Sequence, residues 1–350
     1  MTRRALLAAG LVLLPAAASA ASGGSAPLQF LLLDADARGV ALGGAYTALA
    51  ADANALLYNP AWLGAVRRHE ASFMHNAHFA GISQDYLALA TRWGAGAMVN
   101  VLDYGELPRT TVANPNGTLG SYGARDLAVA AGYGHAWGAF HAGAAVKHVS
   151  ETLDTAVGKA WAADAGVGWH PESDDDLGPS AGLSVQNLGP TVRFQAASEN
   201  LPTTVRGGLA HEFKLRGQRS LAALDLAKTR GDRLVASLGV ETVVAEALAL
   251  RLGYSGRNQA GWGLTGGIGV NFADFSIDYA AAPFGELGVT HRASVNFRFG
   301  PDKDEAAARP VRRPARPELR EWRTGDAPAK KTPSPKRERQ RDPRKTNPRY

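Results

Sequence analysis

The feature that most constrains this chain is a change of hydrophobic period. From Arg68 to Gly300 apolar residues recur at every second position in short segments, and nothing there approaches the ~18 consecutive apolar residues of a spanning helix. The last segment is the clearest. Val289, His291, Ala293, Val295, Phe297 and Phe299 alternate with Thr290, Arg292, Ser294, Asn296 and Arg298. Side chains two apart share one face of a strand, so one face is mostly apolar and ends in aromatics while the other is polar. The same division holds for Leu248, Leu250, Leu252 and Tyr254 against Ala249, Arg251, Gly253 and Ser255. Segments of about ten residues are long enough for tilted strands to cross a bilayer, and aromatic ends suit its interfaces. Such strands must close into a barrel, because an open edge leaves backbone groups unpaired in lipid. A soluble β-sandwich alternates in the same way. The scarcity of charge on the apolar face and the many glycines on the other favour a barrel whose lumen is crowded by an inserted segment.

The pattern predicts an all-β fold: about fourteen antiparallel transmembrane strands forming a β-barrel over residues 67–300. The strands are expected near 68–79, 82–92, 95–103, 125–137, 139–150, 159–170, 179–188, 203–213, 219–229, 233–243, 247–255, 261–272, 274–282 and 288–299. Connection lengths give an orientation. The turns at Trp93-Gly94, Trp137-Gly138, Val244–Glu246 and Ala273 are short and fall on one side. The connections Tyr104–Ala124, Gly189–Pro202 and Pro283–Leu287 are longer and fall on the other. Short turns are expected to be periplasmic and long loops external. The acidic turn Glu172–Gly178 is a longer exception.

Before the strands the chain reads differently. Arg3 and Arg4, the apolar run Ala5–Ala18 and the small residues Ala18-Ser19-Ala20 describe a secretory signal over residues 1–20. From Leu28 to about Val66 the pattern is helical or irregular. Ala37, Val40, Ala41, Ala45, Ala48 and Leu49 have partial helical spacing that Gly43-Gly44 weakens, so a short, tightly packed helix is expected. Asn54 is positioned to cap a second one-turn helix before Pro60. Residues 301–350 carry 16 Lys+Arg against 8 Asp+Glu, a net +8 where the whole chain is +6, so the preceding part is near −2. With nine of the nineteen prolines, this region is expected to be a disordered, basic, periplasmic tail. Localisation follows as the bacterial outer membrane, with both termini periplasmic.

Asp36-Ala37-Arg38-Gly39-Val40-Ala41-Leu42-Gly43-Gly44-Ala45-Tyr46, followed by Tyr58-Asn59-Pro60-Ala61-Trp62-Leu63, resembles the N-terminal block of the PorV/PorQ family. That family looks related to FadL-type long-chain fatty-acid transporters. Leu201-Pro202, Arg206-Gly207-Gly208, Leu250–Tyr254, Asp278-Tyr279, Pro283–Gly288 and Thr290-His291-Arg292 extend the resemblance over about residues 28–300. It implies a fourteen-stranded barrel, an N-terminal helical hatch over residues 21–66 that sits in its lumen and gates it, and gating residues at Gly43, Gly44, Tyr46, Asn59, Pro60 and Ala61. It also implies two uses: binding or passive uptake of a hydrophobic small molecule, or handling of cargo with proteins of a type IX secretion system.

Other chemistry is sparse. The chain has no cysteine, which excludes disulfides and thiolate sites. The histidines show no ligand spacing, so no metal and no cofactor are expected. His148 and Ser150 share the outer face of one strand, as a His-x-Ser pair does in outer-membrane phospholipases. Glu151-Thr152 follows instead of that motif's Asn-Gly and no third group is evident, so no enzyme and no catalytic residue are expected. Asp126, Lys147, Asp164, Arg206, Glu212, Arg251, Asp278, Arg292 and Arg298 are expected to face the lumen, where buried charges need partners. Besides outer-membrane lipid as surroundings, the tail is expected to meet peptidoglycan or anionic lipid headgroups, and not nucleic acid.

Overall fold

The computed structural model describes residues 28–171, 177–194 and 197–303. The expected signal (1–20), most of the tail and most of the acidic turn lie outside them. Sixteen strands occur in the described residues. They are β1 (His69–Ala77), β2 (Ser83–Ala90), β3 (Ala95–Pro108), β4 (Ser121–Trp137), β5 (Phe140–Leu153), β6 (Ala156–Trp169), β7 (Gly178–Leu188) and β8 (Val192–Phe194). The remainder are β9 (Ala197–Glu199), β10 (Thr204–Leu215), β11 (Gln218–Thr229), β12 (Leu234–Val244), β13 (Leu248–Ser255), β14 (Leu264–Asn271), β15 (Phe275–Pro283) and β16 (Val289–Phe299). Fourteen of them form one closed antiparallel barrel, in which β1 pairs with both β2 and β16, and β7 pairs with β10. The other two, β8 and β9, pair with each other within the β7–β10 connection. The expected fourteen-stranded transmembrane barrel is therefore the observed one. Among the described residues no helix is long and apolar enough to cross a membrane.

Burial is inverted relative to a soluble protein. Along β16 the outward Phe297 is 50 % exposed, while the inward Thr290 and Ser294 are almost completely covered. Outward Leu, Val, Ile and aromatic residues recur around the whole wall, and inward positions hold Asn, Ser, Asp, Arg and small residues. That arrangement is stable where the outside solvent is hydrocarbon and the inside is filled by the protein's own polar groups.

Two connections differ from the expectation. Tyr104–Ala124 is not wholly a loop: β3 runs on to Pro108 and β4 begins at Ser121, past a register shift between Asp103 and Glu106. Gly105 has φ +71° at that irregularity, a backbone conformation suited to glycine. Most residues of this extension are exposed on both faces, so it carries no alternation to read. The Gly189–Pro202 connection contains the β8–β9 hairpin, and its Val192 and Leu201 turn inward and are buried.

Residues 28–66 pack against the inner faces of the strands. They form a 3-10 turn (Gln29–Leu32), α1 (Ala37–Ala41), α2 (Ala55–Tyr58) and a second 3-10 turn (Pro60–Ala65), nearly all buried. Asp36 caps α1, its Oδ2 accepting the Gly39 N–H at 2.8 Å. Helical spacing extends to Leu49, but the helix stops after five residues. Gly43 and Gly44 have φ of +69° and +84°, and the chain turns away there. Asn54 precedes α2 as expected, yet its side chain makes no capping bond. Its backbone N–H instead donates to Asp52 Oδ1 at 2.8 Å. Asn59 does cap by side chain, accepting the Ala61 N–H at 3.1 Å as Pro60 starts the following turn.

The strand region begins and ends on one side, where the Lys303 N–H donates to the Arg67 carbonyl at 3.0 Å. Leu28 lies at the opposite end, its N–H donating at 2.7 Å to Glu151 near the β5–β6 turn. The N-terminal segment thus runs the height of the lumen before the wall begins.

Candidate functional site

The inner wall is shaped to this segment mainly by glycines. A Cβ on Gly267 would lie 2.6 Å from the Ala41 Cβ, and one on Gly134 would lie 2.7 Å from the Gly64 nitrogen. Gly253 faces Gly43, Gly208 faces Thr47, and Gly143 faces Pro60 and Ala61, each too close for a side chain. These inward glycines let the segment's backbone approach the wall's backbone, which no larger residue permits.

Hydrogen bonds fix the register between segment and wall. The Asn59 amide donates to the Thr47 carbonyl at 3.3 Å and the Val167 carbonyl at 3.0 Å. The Trp62 indole N–H also donates to Thr47, at 2.8 Å. Asp225, on β11, accepts from the backbone N–H groups of Tyr46 (3.1 Å) and Thr47 (2.9 Å) and from the Thr47 hydroxyl (2.5 Å). Pro60 and Ala61 sit where the segment crosses β5, and Gly43-Gly44 where it crosses β13 and β12.

A chain of charges crosses the lumen beneath α1. Tyr46 donates its hydroxyl to Asp52 (2.6 Å) and accepts from Arg38 (3.1 Å). Arg38 makes a two-pronged contact with Glu241 at 2.8 and 2.9 Å. Arg251 joins Glu241 (2.5 Å) to Asp278 (2.6 Å), and Asn296 donates to Asp278 at 3.1 Å. Burial works against the Arg38 charge, but the adjacent Glu241 carboxylate more than offsets it and holds Arg38 well above its ordinary value. Burial also pushes the Asp36 carboxyl up to about 7, reinforced by Asp52 and Asp278. Asp52 is raised by burial too, opposed by Tyr46 and Arg38.

All nine charges assigned to the lumen from sequence lie at inward positions. Lys147 pairs with Asp164 at 2.7 Å and donates to Asn187 at 2.8 Å. Asp126 accepts from the Tyr104 hydroxyl at 2.9 Å. Arg206 donates to the Gly44 carbonyl at 3.1 Å and lies over the Tyr58 ring. Glu212 pairs with Arg219 at 2.8 Å near the turn end, and Arg298 donates to the Phe272 carbonyl at 3.1 Å. Arg292 donates to Thr290 at 2.9 Å, with no carboxylate within ion-pair distance among the described residues. The sequence reading omitted Arg38, Asp225 and Glu241, which tie the segment to the wall. Asp225 lies between Leu224 and Leu226 and Glu241 follows Val240, so a polar residue alternating with apolar ones was the available signal. His148 stands at the outer wall, its ring 5.0 Å from that of Trp161.

The segment divides the lumen into two unlike ends. At the short-turn end is a cavity of about 850 Å³, lined by groups such as Arg38, Asp52, Glu70, Arg251, Arg298 and Lys303. At the long-loop end Leu28, Phe30, Leu102, Val149, Val192 and Leu201 pack together in an apolar cluster.

No protein-family model and no curated protein sequence matches this chain. Solved structures do. The CymD monoaromatic hydrocarbon channel is similar with a TM-score of 0.55 and 13 % identity, over 77 % of this chain and 99 % of that one. A deltaS2S3 mutant of the TodX monoaromatic hydrocarbon channel gives 0.51 and 15 %, over 75 % and 98 %. A Pseudomonas aeruginosa FadL homologue gives 0.48 and 11 %, over 76 % and 98 %. At such identities the shared property is the fold.

Proposed function

We propose that this chain is a FadL-like barrel of the bacterial outer membrane that binds a hydrophobic small molecule and passes it inward, with residues 28–66 as the gate. The observation that carries this reading is the apolar cluster around Leu28, Phe30, Val192 and Leu201 at the long-loop end, at the other end of the lumen from the polar cavity. A hydrocarbon-sized molecule gains by transfer into such a site, and the segment stands between it and the polar cavity. The fold shared with CymD and TodX, which are described as monoaromatic hydrocarbon channels, supports the same class of cargo.

In this reading Gly43 and Gly44 are the flexible joint of the gate, while Tyr46, Asn59, Pro60 and Ala61 hold its closed position. The lumen charges set the register of the closed state and are not ligand contacts. The PorV/PorQ resemblance of the segment supports a gating role for it. Native mass spectrometry of the purified barrel with added toluene tests the reading. Toluene adducts are expected, and they should disappear in Ala128→Trp, which fills the apolar cluster. A barrel that takes no adduct and instead holds a stoichiometric protein partner overturns uptake in favour of a secretion-associated role.

A further inference from the structure

The outer wall is mostly apolar, and one sector of it carries two polar pairs hydrogen-bonded across neighbouring strands. On β1 and β2 the outward His75 and Asp85 are direct cross-strand partners, and the imidazole Nδ1 lies 2.8 Å from the carboxyl Oδ1. Both side chains are about half exposed, at 52 % and 50 %. Next to them, on β15 and β16, the Tyr279 hydroxyl lies 2.6 Å from His291 Nδ1, again on the outside. The register ties the two pairs together. Ala293 is the partner of His75 on one side and of Tyr279 on the other, and His291 is two residues further along the same strand. Four polar side chains in two hydrogen-bonded pairs therefore surround the outward Ala293.

Their height makes them unusual. The outward row of β16 runs from Phe299 to Val289, ten residues, which at ~3.3 Å per residue and ~40° tilt is about 25 Å, the thickness of an apolar band. Ala293 lies six residues above Phe299 and His291 eight, so the patch spans from about 15 to about 20 Å up the band, about 5 to 10 Å below its upper edge. Val289 stands above it and is 44 % exposed, so the patch is inside the band and not at its rim. Ionisable groups at that depth are costly against hydrocarbon and mark contacts with something polar. The wall is also low here: β1 has nine residues and β2 eight, where β4 has seventeen.

We propose that the His75–Asp85 and Tyr279–His291 patch is a docking site for lipid headgroups of the leaflet at the long-loop end, so that the bilayer is locally thinned against β15, β16, β1 and β2. The headgroup chemistry is phosphate and hydroxyl. Imidazole and phenol can donate to the first, and the carboxyl and imidazole can accept from the second. The low β1–β2 hairpin lets headgroups descend to this level. Hydrophobic mismatch of a short wall is relieved in the same direction.

This proposal rests on the membrane-barrel reading, and the test separates the two. The chain has no cysteine, so single nitroxide labels can be placed cleanly at Ala293→Cys and at Ala131→Cys. Ala131 is an outward alanine six residues above the aromatic end Trp137 of β4, on a tall part of the wall. In vesicles of phosphatidylethanolamine and phosphatidylglycerol, accessibility to a nickel chelate relative to oxygen reports depth. The label at Ala293 is expected at headgroup level, roughly tenfold more accessible to the chelate relative to oxygen than the label at Ala131. In the background His75→Leu with Asp85→Leu, checked for folding by heat-modifiable gel migration, the Ala293 label should sink toward the Ala131 depth. Equal, deep labels in the parent protein overturn the proposal alone, and this comparison needs no folded double variant. Exclusion of both quenchers from Ala293 overturns it in favour of a protein or second copy covering the patch. A chelate-accessible label at Ala131 overturns the membrane reading and this proposal with it.

Discussion

Two sectors of the wall treat the N-terminal segment in opposite ways. Strands β12, β13 and β14, with β4 to β7 and β10, present glycines where the segment touches them, and contact there is backbone to backbone. Strands β15, β16, β1 and β2 contain no glycine at all. Their inward faces offer Ser72, Asn76, Tyr86, Ser294 and Asn296, each with a buried polar atom lacking a partner in the protein. Asp36, Asn54 and Tyr58 of the segment also have unpartnered atoms, as do Asp126, Arg206 and Asp225 on the rest of the wall. Tight apolar approach fixes position, whereas a polar contact with unmatched atoms is readily bridged by water and adapts at little cost. The segment therefore meets the wall backbone to backbone on the glycine-bearing side and side chain to side chain on the other, where Ala37, Val40 and Ala41 pack on Ala280 and Ala282.

The largest test of that contrast is Glu241→Gln on the glycine-bearing side. It removes the carboxylate facing both Arg38 and Arg251, and a loss of about 3–5 kcal/mol in urea unfolding is expected for a broken buried network. Next comes Gly143→Leu, which drives a side chain into Pro60. Overpacking of that kind costs about 1–3 kcal/mol, and single-channel recordings should show the segment displaced. If conductance stays at the parent level, the glycine contacts are not what seats the segment.

A pH effect should follow from Asp36, whose folded-state carboxyl sits at about 7 against an ordinary 3.8. Because the folded value is raised, its contribution is fully present below about pH 4 and is lost as pH rises through 7. Unfolding midpoints should fall between pH 5 and pH 8 in the parent, and Asp36→Asn should flatten that slope. The smallest effect is expected from Ser294→Ala on the glycine-free side, under about 1 kcal/mol. A larger loss there would erase the distinction between the sectors.

Much of the wall was legible because one physical demand, hydrocarbon outside and polar groups inside, acts on every second residue. Strand number, strand ends and the inward placement of Arg251 or Asp278 follow from that parity. The crowding glycines were visible too, though not which residue each one faces. Where the demand lapses, the sequence falls silent. The outer half of the β3–β4 hairpin is solvated on both faces and reads as loop. The extent of α1 was overestimated because Gly43-Gly44 redirects the chain instead of merely weakening a helix. Asp225 and Glu241 act through partners in the segment, and no local spacing reveals a partner about 180 or 200 residues away.

The pairing of β1 with β16 has a consequence for assembly. His69 meets Phe299 across some 230 positions, so the ring cannot be completed until the last strand is available. Contacts of such long range form late, after the loop-closure entropy has been met. The segment that fills the lumen precedes every strand in the chain. It is on hand as a template while the sheet is still open, and the glycine-bearing strands can settle onto it from an unobstructed side. The two ends of the ring, β16 with β15 and β1 with β2, then close over an interior already occupied. The joint made last is thus the one whose strands meet the segment through side chains and hold no glycine.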